Sequence, residues 1–228
     1  MTEREQMNDI AKAKEDILAA ALPNVLFDGW TDGVLREAIT DAGIDLGLAR
    51  EAFPRGAIDM ALFYHAQGDC ALLDAISKAD MSGMRYSQKV TFAVKTRLML
   101  ADKEAVMRGV TLFALPQYLA EGVKALWSTV DTIWTALEDT SDDVNWYTKR
   151  ATLSGVYSST ILFWIGDDSE GDYATWDFLE RRIENVMQFE KVKSKVSDTP
   201  VGKAFEAATS WIKAPSSDYK SDFPGYRG

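Results

Sequence analysis

Residues 31–53 read TDGVLREAITDAGIDLGLAREAF. Thr31 can cap a helix running through residue 42, because its hydroxyl accepts an amide of the first turn. Gly43 ends that helix, since a residue without a Cβ enters the left-handed region at least cost. A second, short helix fits residues 46–53 and must stop before Pro54. The intervening AGIDLG gives the pair helix-turn-helix proportions. Upstream, residues 8–22 place Ile10, Ala13, Ile17, Ala20 and Ala21 on one apolar stripe, a helix able to complete a three-helix head over residues 1–56.

The remainder continues in the same period. Residues 57–78 read as a long helix with Ile58, Leu62, Leu72, Leu73 and Ile76 facing inward. Further helices fit residues 86–100, 103–114, 116–137, 141–165 and 174–196, and Pro116 should kink or break the apolar run that contains it. No run alternates with period two, so the fold class is all-α. A helical body then spans 57–196, and 197–228 holds an amphipathic helix followed by a polar tail that frays. The acidic stretch GDDSEGD, 166–172, reads as an exposed loop.

The chain has 228 residues, 46% hydrophobic and 26% charged, a globular composition. Its net charge of -10 repels phosphate backbones and argues against nucleic acid as a partner. The head agrees: Asp28, Asp32, Glu37, Asp41, Asp45 and Glu51 outweigh Arg36, Arg50 and Arg55, and the short helix offers few groups to read bases. The start, MTEREQMNDIAKAKED, does not read as a signal or transit peptide. The longest charge-free run, 151–166, is shorter than a membrane span.

Catalytic sets are poor. Cys70 and His65 are single, which excludes an intrachain disulfide and a His-rich zinc site. Asp69 lies one turn from His65, but no nucleophile joins them. No phosphate-binding, zinc-protease or calcium-loop motif appears. The expectation is no catalytic residue, no metal and no cofactor.

Two stretches stand out. In SDDVNWYTKR, 141–150, Ser141 can cap a helix while Asp142 and Asp143 favour its positive end. Asp143, Trp146, Tyr147 and Arg150 then share one face, with Val144, Ala151 and Val156 turned to the interior. Two readings stay open: a partly wet docking face, rich in residue types that dominate interfaces, or rings covered by a neighbouring helix of the same chain. In VGKAFEAATSWIKA, 201–214, Val201, Phe205, Ala208 and Ile212 form a stripe flanked by Trp211, Lys203 and Lys213. Such a helix suits a bilayer interface or docking on the core equally well.

DVNWYTKR, LSGVY and TWDFLERRIENVM follow one another in the C-terminal half, and LFDGWTDGVLREAITDAGIDLGLAREAFPRGAIDM lies in the N-terminal half. Over about residues 8–215 these blocks resemble the COQ9 family of ubiquinone-biosynthesis proteins, in a bacterial form. The resemblance implies a TetR-like fold with a head, a lipid-binding body and a terminal amphipathic helix, usually as a homodimer. It implies an accessory protein rather than an enzyme. Such a protein binds isoprenoid lipid or quinone intermediates and presents them to a ring hydroxylase, di-iron or flavin-dependent. By the same resemblance Asp143, Trp146, Tyr147 and Arg150 dock that partner, and Lys203, Phe205, Trp211, Ile212 and Lys213 meet the membrane. The implied location is cytoplasmic, on the inner face of the cytoplasmic membrane. The alternative is a TetR-like transcription regulator with an apolar effector pocket.

Overall fold

A computed structural model of the chain describes residues 2–140 and 144–197. Among the described residues there are nine α-helices, one 3-10 turn and no strand. They are α1 (Glu3–Asp28), α2 (Asp32–Asp41), α3 (Leu46–Ala52), α4 (Ala57–Lys78), α5 (Tyr86–Met99), α6 (Lys103–Phe113), α7 (Leu119–Ala136), α8 (Val144–Ile165) and α9 (Tyr173–Ser197). Two compact units divide them: Met1–Gly68 with Ala101–Ala125, and Asp69–Leu100 with Leu126–Gly228.

In the first unit the helix ends are written locally. Thr2 and Glu5 form a reciprocal cap that starts α1 five residues before the expected Asn8. The helix also passes through Pro23, where one backbone bond is lost. Complete burial of Ala21 and Val25 on either side offsets that loss. Gly29, at φ +73, stops α1 and donates its amide to the Val25 carbonyl. Thr31 Oγ1 accepts the Val34 amide at the start of α2, and Gly43 takes φ +65 beyond its end. Asp45 Oδ1 accepts the amides of Gly47 and Leu48 to open α3.

These helices close over a core of Ile17, Leu18, Val25, Val34, Leu35 and Phe53. Trp30 joins it and donates its Nε1–H to the Ala105 carbonyl at 3.0 Å, fastening α6 to the turn between α1 and α2. One carboxylate serves two helices. Asp32 lies in the first turn of α2, and its Oδ1 accepts the amide of Ala57, the first residue of α4, at 2.9 Å. Gly56 permits the approach: at φ +77, an added Cβ would lie 2.4 Å from that oxygen.

The second unit buries a polar group among apolar helices. Arg97 Nε donates to Asp69 Oδ1 at 2.8 Å, and Thr129 Oγ1 donates to the same oxygen at 2.8 Å. Tyr157 is buried near this pair. Burial pushes its phenol from 10.0 up to about 12, opposed by the positive charge of Arg97 and reinforced by Asp69. In the unfolded chain the phenol ionises near pH 10, whereas in the fold it stays neutral. The folded state therefore holds the extra proton, and stability falls as pH rises from 10 towards 12. A Tyr157→Phe protein should lose less stability than the parent across that window, measured by urea unfolding at stepped pH. Parallel curves for the two proteins would contradict the assignment.

Three details differ from the sequence expectations. Leu73 is 43% exposed rather than inward, because α4 turns Leu72 and Ile76 to the interior instead. Pro116 breaks the run, as expected, but the next helix starts three residues later than the expected residue 116: Tyr118 donates to the Leu115 carbonyl in a turn, and α7 begins at Leu119. The 166–172 stretch is partly exposed but ordered. Asp167 Oδ2 accepts both the amide and the hydroxyl of Thr175, at 2.8 and 2.6 Å, and so caps α9. Hydrogen bonds from Ser169 and Thr175 hold the Asp167 carboxyl far below its usual range.

Candidate functional site

On α7, Trp127, Asp131 and Trp134 are spaced four and three residues apart, so they occupy one face. On α8, Trp146 and Arg150 are one turn apart and meet that face. Arg150 is the centre of the arrangement. Its Nε donates to Asp131 Oδ1 at 2.6 Å. Its Nη1 donates to the Trp146 carbonyl at 3.3 Å and to Asp139 Oδ2 at 3.4 Å. The guanidinium carbon lies 3.9 Å from the centroid of the Trp146 ring.

The other rings extend outward from this centre. Trp127 packs against Trp146 at 6.0 Å, and Tyr147 meets Trp146 edge-on at 4.8 Å. Lys149 Nζ donates to Asp139 Oδ1 at 2.6 Å and sits 5.7 Å from the Trp134 ring. Tyr86, on α5, stacks on Trp134 at 5.9 Å. Burial, then the charge of Asp139, pushes the Tyr86 phenol up to about 12. Two cations face two carboxylates, so the cluster is balanced. A desolvated guanidinium over an indole adds about 2 kcal/mol of attraction.

The expected face is therefore split. Tyr147 is 37% exposed, whereas Trp146 is 8% and Arg150 2% exposed. Of the two readings left open, cover by a neighbouring helix of the same chain fits Trp146 and Arg150, and a partly wet face fits Tyr147. Spacing along one helix gives the shared side correctly, but α7 supplies the Asp131 and indole surface that covers most of it. Ala151, expected inward, is exposed, while Val156 is buried as expected. Asp143 lies outside the described residues, as do Lys203, Phe205, Trp211, Ile212 and Lys213. Sequence reasoning missed Trp127, Asp131, Trp134 and Asp139; the 0, 4, 7 spacing of the first three was the available signal.

His65 Nε2 lies 3.0 Å from the Ala125 carbonyl, and Cys70 is exposed. Among the described residues no group of three or more His, Cys, Asp or Glu side chains is placed to hold a metal ion. Nor is any helix among them long and apolar enough to cross a membrane.

Comparison with known proteins gives consistent matches. The family model described as COQ9 matches residues 119–190, which includes the whole cluster on α7 and α8. The chain is 32% identical to "Ubiquinone biosynthesis protein COQ9, mitochondrial" of Rattus norvegicus over 86% of its own length and 66% of that protein. It is 31% identical to the Homo sapiens protein of the same name, over 86% and 64%. With "Ubiquinone biosynthesis protein COQ9-B, mitochondrial" of Xenopus laevis it shares 30% identity over 86% and 70%. The chain thus spans just under two thirds of the rat and human proteins. These relatives are mitochondrial, so the bacterial form expected from the sequence is not borne out by them. Among solved structures, a TetR transcriptional regulator from Nitrosomonas europaea ATCC 19718 superposes with a TM-score of 0.61 at 16% identity, covering 75% of this chain and 95% of that one. At that identity the likeness shows the fold, which is all-α and TetR-like.

Proposed function

Because this chain belongs to the COQ9 family of ubiquinone-biosynthesis proteins, we propose that it is a non-enzymatic accessory of that pathway. In this reading it binds an isoprenoid quinone intermediate and presents it to a ring hydroxylase at a membrane surface, as a homodimer. The observation that carries the reading is the match to relatives named for ubiquinone biosynthesis over 86% of the chain, with the family model matching residues 119–190. The physical need is plain. A polyprenyl tail is nearly insoluble, and a helical shell covers it at about 25 cal/mol for each Å2 of apolar surface removed from water. Changing a covalent bond is not required for that task.

The docking role rests on Tyr147, the exposed ring on α8, with Trp146 and Arg150 supporting it from beneath and Asp143 one turn before it in sequence. For membrane contact the proposal is the stretch 201–214, whose sequence pattern is amphipathic, through Phe205, Trp211 and Ile212 with Lys203 and Lys213 towards head groups. The regulator reading has less support. Asp45 places a carboxylate at the start of α3, the end that would meet base edges and phosphates.

Native mass spectrometry of the purified protein, followed by lipid extraction, should find a prenylated quinone or its precursor. A protein that arrives lipid-free and takes up no prenylquinone from vesicles would end the lipid-binding proposal. For docking, Tyr147→Lys should weaken binding to the organism's own ring hydroxylase by more than about 2 kcal/mol while barely moving the melting temperature. Parental affinity in that variant would remove Tyr147 from the interface.

A further inference from the structure

Asp131 is absent from every sequence pattern that suggested docking, yet it sits at the root of the cluster. Its side chain is 31% exposed, and its carboxylate makes the shortest hydrogen bond to Arg150, 2.6 Å to Nε. An arginine has a long, flexible side chain, and its guanidinium lies flat on a ring only if something fixes its plane. Asp131 does so from one edge, while the Trp146 carbonyl and Asp139 receive Nη1. The guanidinium carbon so held lies 3.9 Å from the centroid of the Trp146 ring, and Trp146 in turn meets Tyr147 edge-on at 4.8 Å.

We infer that Asp131 is a positioning residue of the Tyr147 docking surface, acting through Arg150 and Trp146 rather than by touching the partner. The inference rests on the docking role proposed above for Tyr147. A half-exposed tyrosine ring has several staggered rotamers open to it. Contact with a fixed indole selects among them, and a pre-set ring loses less freedom when a partner covers it. Asp139 is a poorer lever for the same purpose, because it also accepts Lys149. The chain of action runs from charge pair to guanidinium plane, to indole, to the exposed phenol.

The test is a double-mutant cycle on binding to the same hydroxylase, well below the lowest melting temperature. Asp131→Ala should weaken binding about tenfold in the parent and less than about threefold in a Tyr147→Ala background, because two residues acting as one unit are not additive. Asp131→Glu keeps the charge and should restore most of the affinity, whereas Asp131→Asn should not. Should Asp131→Ala fail to fold, Asp131→Asn carries the cycle, since it removes the charge that pairs with Arg150 at nearly unchanged side-chain size. Equal losses in both backgrounds would mean that Asp131 touches the partner itself, and would overturn the inference. So would an unweakened Asp131→Ala or Asp131→Asn beside a weakened Tyr147→Ala. Parental affinity of Tyr147→Ala alone would overturn the docking reading, and the positioning role with it.

Discussion

Replacing Arg97 with alanine is expected to destabilise the protein by about 3–5 kcal/mol, the range for breaking a buried ion pair from one side. The side chains of Arg97 and Asp69 are 5% and 10% exposed, so little water reaches either charge. Thr129 keeps its hydrogen bond to Asp69 in the variant, but a hydroxyl does not neutralise a carboxylate. Removing both charges together should do much less harm. Arg97→Met with Asp69→Leu fills the same space with apolar atoms, and such exchanges are often neutral or better. Chemical denaturation of the two proteins provides the comparison. A single variant as stable as the parent would show that the carboxylate is solvated after all.

The second large effect separates two adjacent rings. Trp146→Ala should cost roughly 3–5 kcal/mol, because it opens a cavity between Trp127, Arg150 and Tyr147. Tyr147→Ala should cost about 1 kcal/mol or less, since its ring is already 37% exposed to solvent. The two proteins would be compared by urea titration with circular dichroism. Equal losses would place both rings in the interior, and a Trp146 variant that melts with the parent would place both outside. The contrast also guards binding experiments: weak partner binding by a Trp146 variant would report folding as much as contact.

Helix boundaries were legible wherever a single residue writes them. Thr31 opens α2 and Gly43 follows its end as the sequence suggests, and α4 runs over the predicted residues 57–78. The end of α1 was not legible at Pro23. Local chemistry argues for a stop there, and the burial of Val25 by residues distant in sequence overrules it. The candidate site shows the same division. The spacing of Trp146, Tyr147 and Arg150 correctly places them on one side of a helix. It says nothing of what lies opposite, and Asp131 with Trp127 decides which of the three remains in water. Arg150 was the most misleading residue. A charged side chain at a helix edge ordinarily signals solvent, but two carboxylates and an indole face let this one be buried.

Asp32 belongs to α2 by sequence and to α4 by hydrogen bond, across a separation of 25 residues. A local opening that frees α2 uncaps the first turn of α4 in the same event, so the two are coupled at that end. The Ala57 amide thereby becomes a natural reporter: its exchange with deuterated solvent is timed by the undocking of a helix far upstream. A single isotopic signal from one backbone position reads the breathing of the junction between α2 and α4.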